Sequence, residues 1–192
     1  FAVETGLSSD PAMNWRVSSL DEFTLVSNSD AHSPLNMWRE ANSFNTELSY
    51  PAVKSALKTG NPKEFLGTLE FYPEEGKYHI DGHRACNVSL WPATTLKHSG
   101  LCPVCSKPLT LGVLHRVEEL ADHNEGRRPP RHAPYHSVIQ LTDILSEVMQ
   151  VGPKSKKVTR AYQNTLYQLG SEFNILQNLD TAEIEKSGIP LL

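Results

Sequence analysis

His83, Cys86, Cys102 and Cys105 fall as H-x2-C-x15-C-x2-C. Two short ligand pairs on tight turns, set a dozen or more residues apart, suit a tetrahedral Zn2+ ion: each pair grips the ion from one side and the spacer closes the loop. In Cys102-Pro103-Val104-Cys105-Ser106-Lys107-Pro108-Leu109 the second pair reads as a knuckle of the zinc-ribbon kind, whose small residues leave backbone amides free to face the thiolates. His79, His98 and His115 compete for the fourth position. His83 is preferred because its spacing to Cys86 repeats that of the second pair. Four protein ligands leave no open place for water or substrate, so the expected role of the Zn2+ is structural, folding a lobe that has little core of its own. The bland alternative is three thiols used for packing alone, and their spacing beside several His speaks against it.

A second constellation lies earlier. Asp30 and His32 are two apart in Ser27-Asn28-Ser29-Asp30-Ala31-His32-Ser33-Pro34, directly after the apolar run Thr24-Leu25-Val26. Carboxylate plus imidazole is the ligand mixture of Zn2+, Mn2+ or Fe sites that activate water. Glu4, after Ala2-Val3, adds an acid at the same strand end. Taken alone D-x-H is weak, and its plain reading is a capping Asp beside an exposed His.

These residues need elements to carry them. Ala2-Val3-Glu4 and Thr24-Leu25-Val26-Ser27 read as short buried parallel strands, and such sheets place their sites at the strand ends. Tyr50-Pro51 starts a helix with Val53, Ala56 and Leu57 on one face, closed by Gly60. Phe65 to Phe71 predicts a strand, Pro73-Glu74-Glu75-Gly76 a turn, and Tyr78-His79-Ile80 a returning strand, forming a hairpin. Val138, Leu141, Leu145 and Val148 recur at helical spacing until Gly152-Pro153. Val158, Tyr162, Leu166 and Leu169 mark another helix closed by Gly170, and Thr181 is placed to cap a last one.

The chain has 192 residues, 39% hydrophobic and 21% charged, with a net charge of -4. That composition supports a folded core and excludes wholesale disorder, and no apolar run approaches the roughly 18 residues that a membrane span needs. Three Cys, an odd number with two of them two residues apart, suit metal ligation in a reducing compartment, so the cytoplasm is expected. Phe1 opens the chain without Met or a signal-peptide pattern, and the chain is expected to begin inside a larger protein. Charge is uneven: residues 126–160 hold seven bases (Arg127, Arg128, Arg131, Lys154, Lys156, Lys157, Arg160) against two acids (Asp143, Glu147), a local net of +5. Within it the Pro- and Arg-rich loop from Gly126 to Pro134 is the linker candidate. Its Arg127, Arg128 and Arg131 are candidates for phosphate contact, with a solvated loop as the alternative.

Several blocks in one order carry a resemblance. Ala2-Val3-Glu4-Thr5-Gly6-Leu7-Ser8-Ser9-Asp10-Pro11, Trp15-Arg16 and Thr24 to Pro34 resemble the closing segments of the PHP (polymerase and histidinol phosphatase) family of metal-dependent phosphoesterases. More narrowly the chain resembles the endonuclease Q group, through Thr68 to His79, Asp81-Gly82-His83-Arg84-Ala85-Cys86, Cys102-Pro103-Val104-Cys105 and Gly112 to Asp122. The resemblance implies an α/β fold: residues 1–62 as the C-terminal strands and helices of a PHP-type distorted (β/α)7 barrel, 63–125 as a small zinc-ribbon-like lobe, and 126–192 as a basic linker with a helical C-terminal region. It further implies a DNA-repair endonuclease that hydrolyses the phosphodiester 5' of deaminated bases or of abasic sites. Asp30 and His32 match the last metal-binding motif of that family, and Glu4 an acidic position close to the catalytic cluster of divalent metals (Zn2+, Mn2+ or Mg2+).

One departure matters. PHP sites begin with an H-x-H pair, and these 192 residues contain none. The catalytic metals are therefore expected only with a missing N-terminal part, and the chain alone is expected to be inactive. DNA is the expected partner, with no membrane involved. For base recognition Trp15, Trp38, Tyr72 and Trp91 are the available aromatics, with packing as the ordinary role of each. The alternative from a different class is a noncatalytic zinc-ribbon module that binds nucleic acid or a protein partner.

Overall fold

The computed structural model describes residues 1–188, so the last four residues of the 126–192 segment lie outside the described residues. The chain divides into two compact units, Phe1–Ser137 and Val138–Leu192. The first unit mixes short strands and helices with long connections, the second is helical, and the whole is of mixed α/β class.

In the first unit β1 (Ala2–Glu4) and β2 (Thr24–Val26) form a parallel pair with Ala2 opposite Thr24 and Glu4 opposite Val26. Their connection holds α1 (Pro11–Asn14), capped by the Asp10 carboxylate on the Met13 amide at 2.8 Å. A second sheet has the order β3 (Ala41–Phe44), β4 (Phe65–Phe71), β7 (Tyr135–Val138). β3 and β4 are antiparallel, Ala41 facing Leu69. Between them runs α2 (Tyr50–Thr59), with Ser49 as N-cap, Pro51 in the first turn and Gly60 left-handed at the C-terminus, as the sequence pattern requires.

The expected hairpin after β4 does not form. Phe65–Phe71 is a strand, but its partners are β3 and β7, and Tyr78-His79-Ile80 is not a strand. Local turn chemistry was misleading because β4 is central: its two edges are taken by segments far away in sequence. Gly67 on β4 allows the close approach on one side, since a Cβ there would lie 2.1 Å from the Pro134 carbonyl oxygen, at φ +130°.

The third pair, β5 (Asp81–His83) and β6 (Val88–Leu90), is an antiparallel hairpin with His83 opposite Val88. α3 (Pro92–Lys97) and α4 (Val113–Leu120) follow.

The second unit is helical: α5 (Leu141–Met149), α6 (Lys156–Leu169), α7 (Glu172–Gln177) and α8 (Thr181–Lys186). Leu141, Leu145, Val158 and Ile175 form its buried centre, each such side chain contributing about 1.5–3 kcal/mol of hydrophobic stabilisation. Glu172 completes it with a buried carboxylate. One oxygen accepts from the Leu141 amide at 2.6 Å, satisfying a free N–H in the first turn of α5, and the other accepts from the Tyr162 hydroxyl at 2.8 Å. Two details differ from the sequence pattern. Val138 belongs to β7 rather than to the helix, and Asp180, not Thr181, caps α8, in a reciprocal box with Glu183.

Candidate metal centre

β5 ends at His83, and the chain turns at once through Arg84–Cys86 to bring Cys86 back beside it, Asn87 adopting the left-handed conformation that lets β6 begin. Gly82 lies between two neighbours. It pairs with Ser89 on β6 and, on its other side, exchanges two 2.9 Å backbone hydrogen bonds with Thr110. That second pairing anchors the segment 101–110, whose own turn is closed by Cys102 N–H to the Lys107 carbonyl and Ser106 N–H to the Cys102 carbonyl, both at 2.8 Å. Ser106 sits at φ +58°. Two turns are thereby held face to face.

The ligand atoms of His83, Cys86, Cys102 and Cys105 all lie within 4.8 Å of one another, and among the described residues this is the one such group of three or more metal-ligating side chains. Cys105 Sγ and His83 Nδ1 are 3.4 Å apart, and Cys102 is buried. The charge pattern suits a cation. Hydrogen bonding to Cys105, followed by desolvation, pushes the Cys86 thiol up to about 11. Cys102 moves the other way: against desolvation, which raises it, the backbone N–H groups of Val104 and Cys105 hold it below its ordinary value. Backbone amides aimed at the Cys102 sulfur, with three sulfurs and an imidazole nitrogen gathered around one point, form a donor set that could hold a divalent cation such as Zn2+.

The three competing histidines are elsewhere. His79 Nδ1 bonds the Ser8 carbonyl oxygen at 3.1 Å, and His98 is exposed at the end of α3. His115 Nδ1 is 2.6 Å from Asp81 Oδ2, while Asp81 Oδ1 accepts the Gly112 amide at 2.7 Å. Asp81 is fully buried. This carboxylate ties β5 to the start of α4 and so supports the hairpin from behind. Gly112 is required there, because a Cβ would lie 2.5 Å from the His79 carbonyl oxygen.

The strand-end residues are arranged differently. Glu4 and Asp30 line one open depression with Gly6, Leu7 and Asn28, at the C-terminal ends of β1 and β2. Asp30 is exposed at φ +44°, a conformation that Asp tolerates better than most residues. His32 is exposed, and its Nδ1 bonds the Asp30 carbonyl oxygen at 2.8 Å. Glu4, Asp30 and His32 do not converge into a ligand group as the His/Cys set does.

Below this edge lie acids that the motif reading did not single out. Ala41 faces Leu69, so Glu40 and Glu70 stand next along the β3–β4 ladder. Glu70 is fully buried, and Thr5 Oγ1 donates to it at 2.8 Å and Thr68 Oγ1 at 2.5 Å. Glu40 is 2% exposed, and neither of its carboxyl oxygens has a hydrogen-bond partner among the described residues. Burial, with the charge of Glu70 next, pushes Glu40 up to about 7. The only sequence signal was a Glu inside the apolar strand Phe65–Phe71.

Of the three loop arginines, Arg127 grips both carboxylate oxygens of Asp21 and donates to the Trp15 carbonyl oxygen at 2.6 Å. Arg131 donates to the Lys58 carbonyl oxygen at 2.8 Å, and Arg128 is exposed. Trp15 is buried against His132 and Tyr135, whereas Trp91 is 56% exposed. No described helix is long and apolar enough to cross a membrane.

The mixed α/β fold of this chain is one that solved proteins share. The crystal structure of the lesion-specific endonuclease PfuEndoQ from Pyrococcus furiosus superposes with TM-score 0.85 and 27% identity, over 99% of this chain and 48% of that one. A structure of endonuclease Q in complex with a 27-mer duplex bearing an abasic lesion at its active site matches with the same score and identity over 98% of this chain. The resemblance to the endonuclease Q group therefore holds across nearly the whole fold. Residues 140–189 match the family described as the MJ0043 C-terminal domain. Two curated relatives are the uncharacterized protein MJ0043 of Methanocaldococcus jannaschii, 30% identical over 96% of this chain, and the uncharacterized protein YqxK of Bacillus subtilis, 33% identical over 84% of it. The chain spans 24% and 40% of their lengths, and under half of the solved endonuclease.

Proposed function

We propose that this chain is part of a metal-dependent DNA-repair endonuclease that hydrolyses the phosphodiester 5' of deaminated bases or abasic sites. The observation that carries the reading is the superposition of 98% of the chain on an endonuclease Q bound to an abasic duplex. In this reading residues 1–62, with β4 joined to them in one sheet, are the rear of a PHP-type barrel, and the remainder of 63–125 is a zinc-ribbon-like lobe whose His83, Cys86, Cys102 and Cys105 hold a structural Zn2+. Asp30 and His32 are ligands of a catalytic cluster of Zn2+, Mn2+ or Mg2+, with Glu4 beside it. Divalent metals held there would supply an activated water and offset charge on the phosphoryl oxygens. Two or three exposed ligands that do not converge leave that cluster incomplete, so the reading requires ligands beyond these 192 residues, and the isolated chain is inactive. Arg128 is the loop cation assigned to a phosphate; Arg127 and Arg131 chiefly fix the loop that presents it.

One observation favours a second reading: the only convergent ligand group among the described residues is the closed His/Cys cluster. On that basis the chain would be a noncatalytic zinc-bearing module for nucleic acid or a protein partner. Binding and cleavage of matched duplexes, undamaged or carrying uracil, hypoxanthine or an abasic site, separate the two. The endonuclease reading expects tighter binding to lesion duplexes without cleavage. Equal affinity for every duplex would overturn it in favour of the module, and robust metal-dependent cleavage abolished by Asp30→Ala would overturn the claim of inactivity.

A further inference from the structure

The ladder of β1 and β2 ends at Glu4 opposite Val26, yet the chain from Ser27 to Asp30 is not loose. Ser27 is fully buried, and the Asn42 side chain on β3 occupies both its backbone groups. Asn42 Oδ1 accepts from the Ser27 N–H at 3.0 Å, and Asn42 Nδ2 donates to the Ser27 carbonyl oxygen at 2.6 Å. A carboxamide carries one donor and one acceptor in the arrangement of a peptide group, so it serves here as a one-residue substitute for a strand partner. Asn42 Nδ2 also reaches Asn28 Oδ1 at 3.2 Å. Two residues on, Arg39 Nε and Nη2 donate to the Ser29 carbonyl oxygen at 3.1 and 2.9 Å. Positions 27 and 29 are thus pinned from the segment that enters β3. Between and after them stand Asn28 and Asp30, the two residues of this turn that line the depression with Glu4.

We infer that Asn42, assisted by Arg39, is a positioning residue for Asp30. It fixes the carboxylate-bearing turn above the β1–β2 edge so that Asp30 and Glu4 address one depression. The inference rests on the reading of Asp30 as a metal ligand. It explains why an amide stands at position 42: Asp could accept from the Ser27 N–H but would set a carboxylate against the Ser27 carbonyl oxygen and Asn28 Oδ1, and Ala would leave both Ser27 groups unpaired.

The test uses the zinc-loaded chain, 15N-labelled, with Mn2+ as the probe, following paramagnetic broadening of the Asn28 and Asp30 amide signals. Groups that orient a metal ligand are worth about 10–100-fold in metal affinity, so Asn42→Ala and Asn42→Asp are each expected to need at least about tenfold more Mn2+ for the same broadening. Thr59→Ala is the control: it removes side-chain hydrogen bonds within α2 without touching β3 or the turn, and its titration should stay within about twofold of the parent. Spectra of β4 and of the 81–110 hairpin region, in the same compact unit as residue 42, report that each variant is folded. Broadening unchanged in both Asn42 variants, with Asp30→Asn strongly weakened, overturns the positioning role and leaves Asp30 a ligand. Broadening unchanged in Asp30→Asn overturns the ligand reading and the inference with it.

Discussion

The His/Cys lobe and the end of the β1–β2 sheet both gather metal-ligating residue types on turns, and they differ in closure. In the lobe two turns are cross-linked by backbone pairing at Gly82, and four ligand atoms come within 4.8 Å. At the strand end the turn is equally well pinned, by Asn42 and Arg39, but it presents Asp30 outward at the rim of an open depression. Order in the backbone is common to both. What separates a complete site from a partial one is whether a second set of ligands faces the first, and only the lobe supplies that set from its own sequence.

Removing the closing element is the most severe way to break this contrast. Binding free energies of structural Zn2+ in small domains run to about 10–16 kcal/mol, so chelation, Cys102→Ser or Cys105→Ser should unfold the hairpin region 81–110. The NMR signals of that region should collapse while those of the helical unit persist. Retention of zinc and an unchanged melt in both Cys variants would show the ligands to be misassigned. A core change outside both regions gives the scale for ordinary damage: Leu145→Ala, at a fully buried position of the helical unit, is expected to lower stability by about 2–5 kcal/mol by urea denaturation with zinc content unchanged.

The acids below the strand end sharpen the contrast by pH. Glu40 is raised from 4.5 to about 7 in the fold, so the folded state holds a proton that the unfolded chain releases. Its favourable contribution is complete below pH 4.5 and is lost as pH rises through about 7. Glu40→Gln should abolish this loss, a difference of roughly 2–3 kcal/mol between pH 5 and pH 8 in matched denaturation curves. A variant that keeps the parental pH slope would place the titration in another group. Smallest of all, Asp30→Asn should shift stability by less than about 0.5 kcal/mol, because the side chain is exposed and Asn also tolerates a positive φ. The same variant should leave the zinc content untouched.

Much of this architecture was legible in the sequence where the signal was local. The α2 and α6 boundaries followed from Pro51, Gly60 and Gly170, and residues 83, 86, 102 and 105 announced themselves by spacing. What was illegible depended on partners remote in the chain. Tyr78–Ile80 looked like a returning strand because nothing local reveals that β4 is already flanked by β3 and β7. The Asp81–His115 pair and the Asn42–Ser27 pairing join residues 34 and 15 positions apart with no motif to mark them. Arg127 read as a free loop cation until Asp21, 106 residues away, was found against it. Glu40 and Glu70 were hidden for the opposite reason: polarity in a strand suggests an outward face, and here that face is interior.

Native mass spectrometry of the purified chain tests the contrast most directly. One tightly held Zn2+ per chain is predicted, kept in Asp30→Ala and His32→Ala and lost in Cys102→Ser. A second tightly held ion that disappears with Asp30→Ala, or a zinc ion that survives Cys102→Ser, would contradict the division into one closed site and one open one.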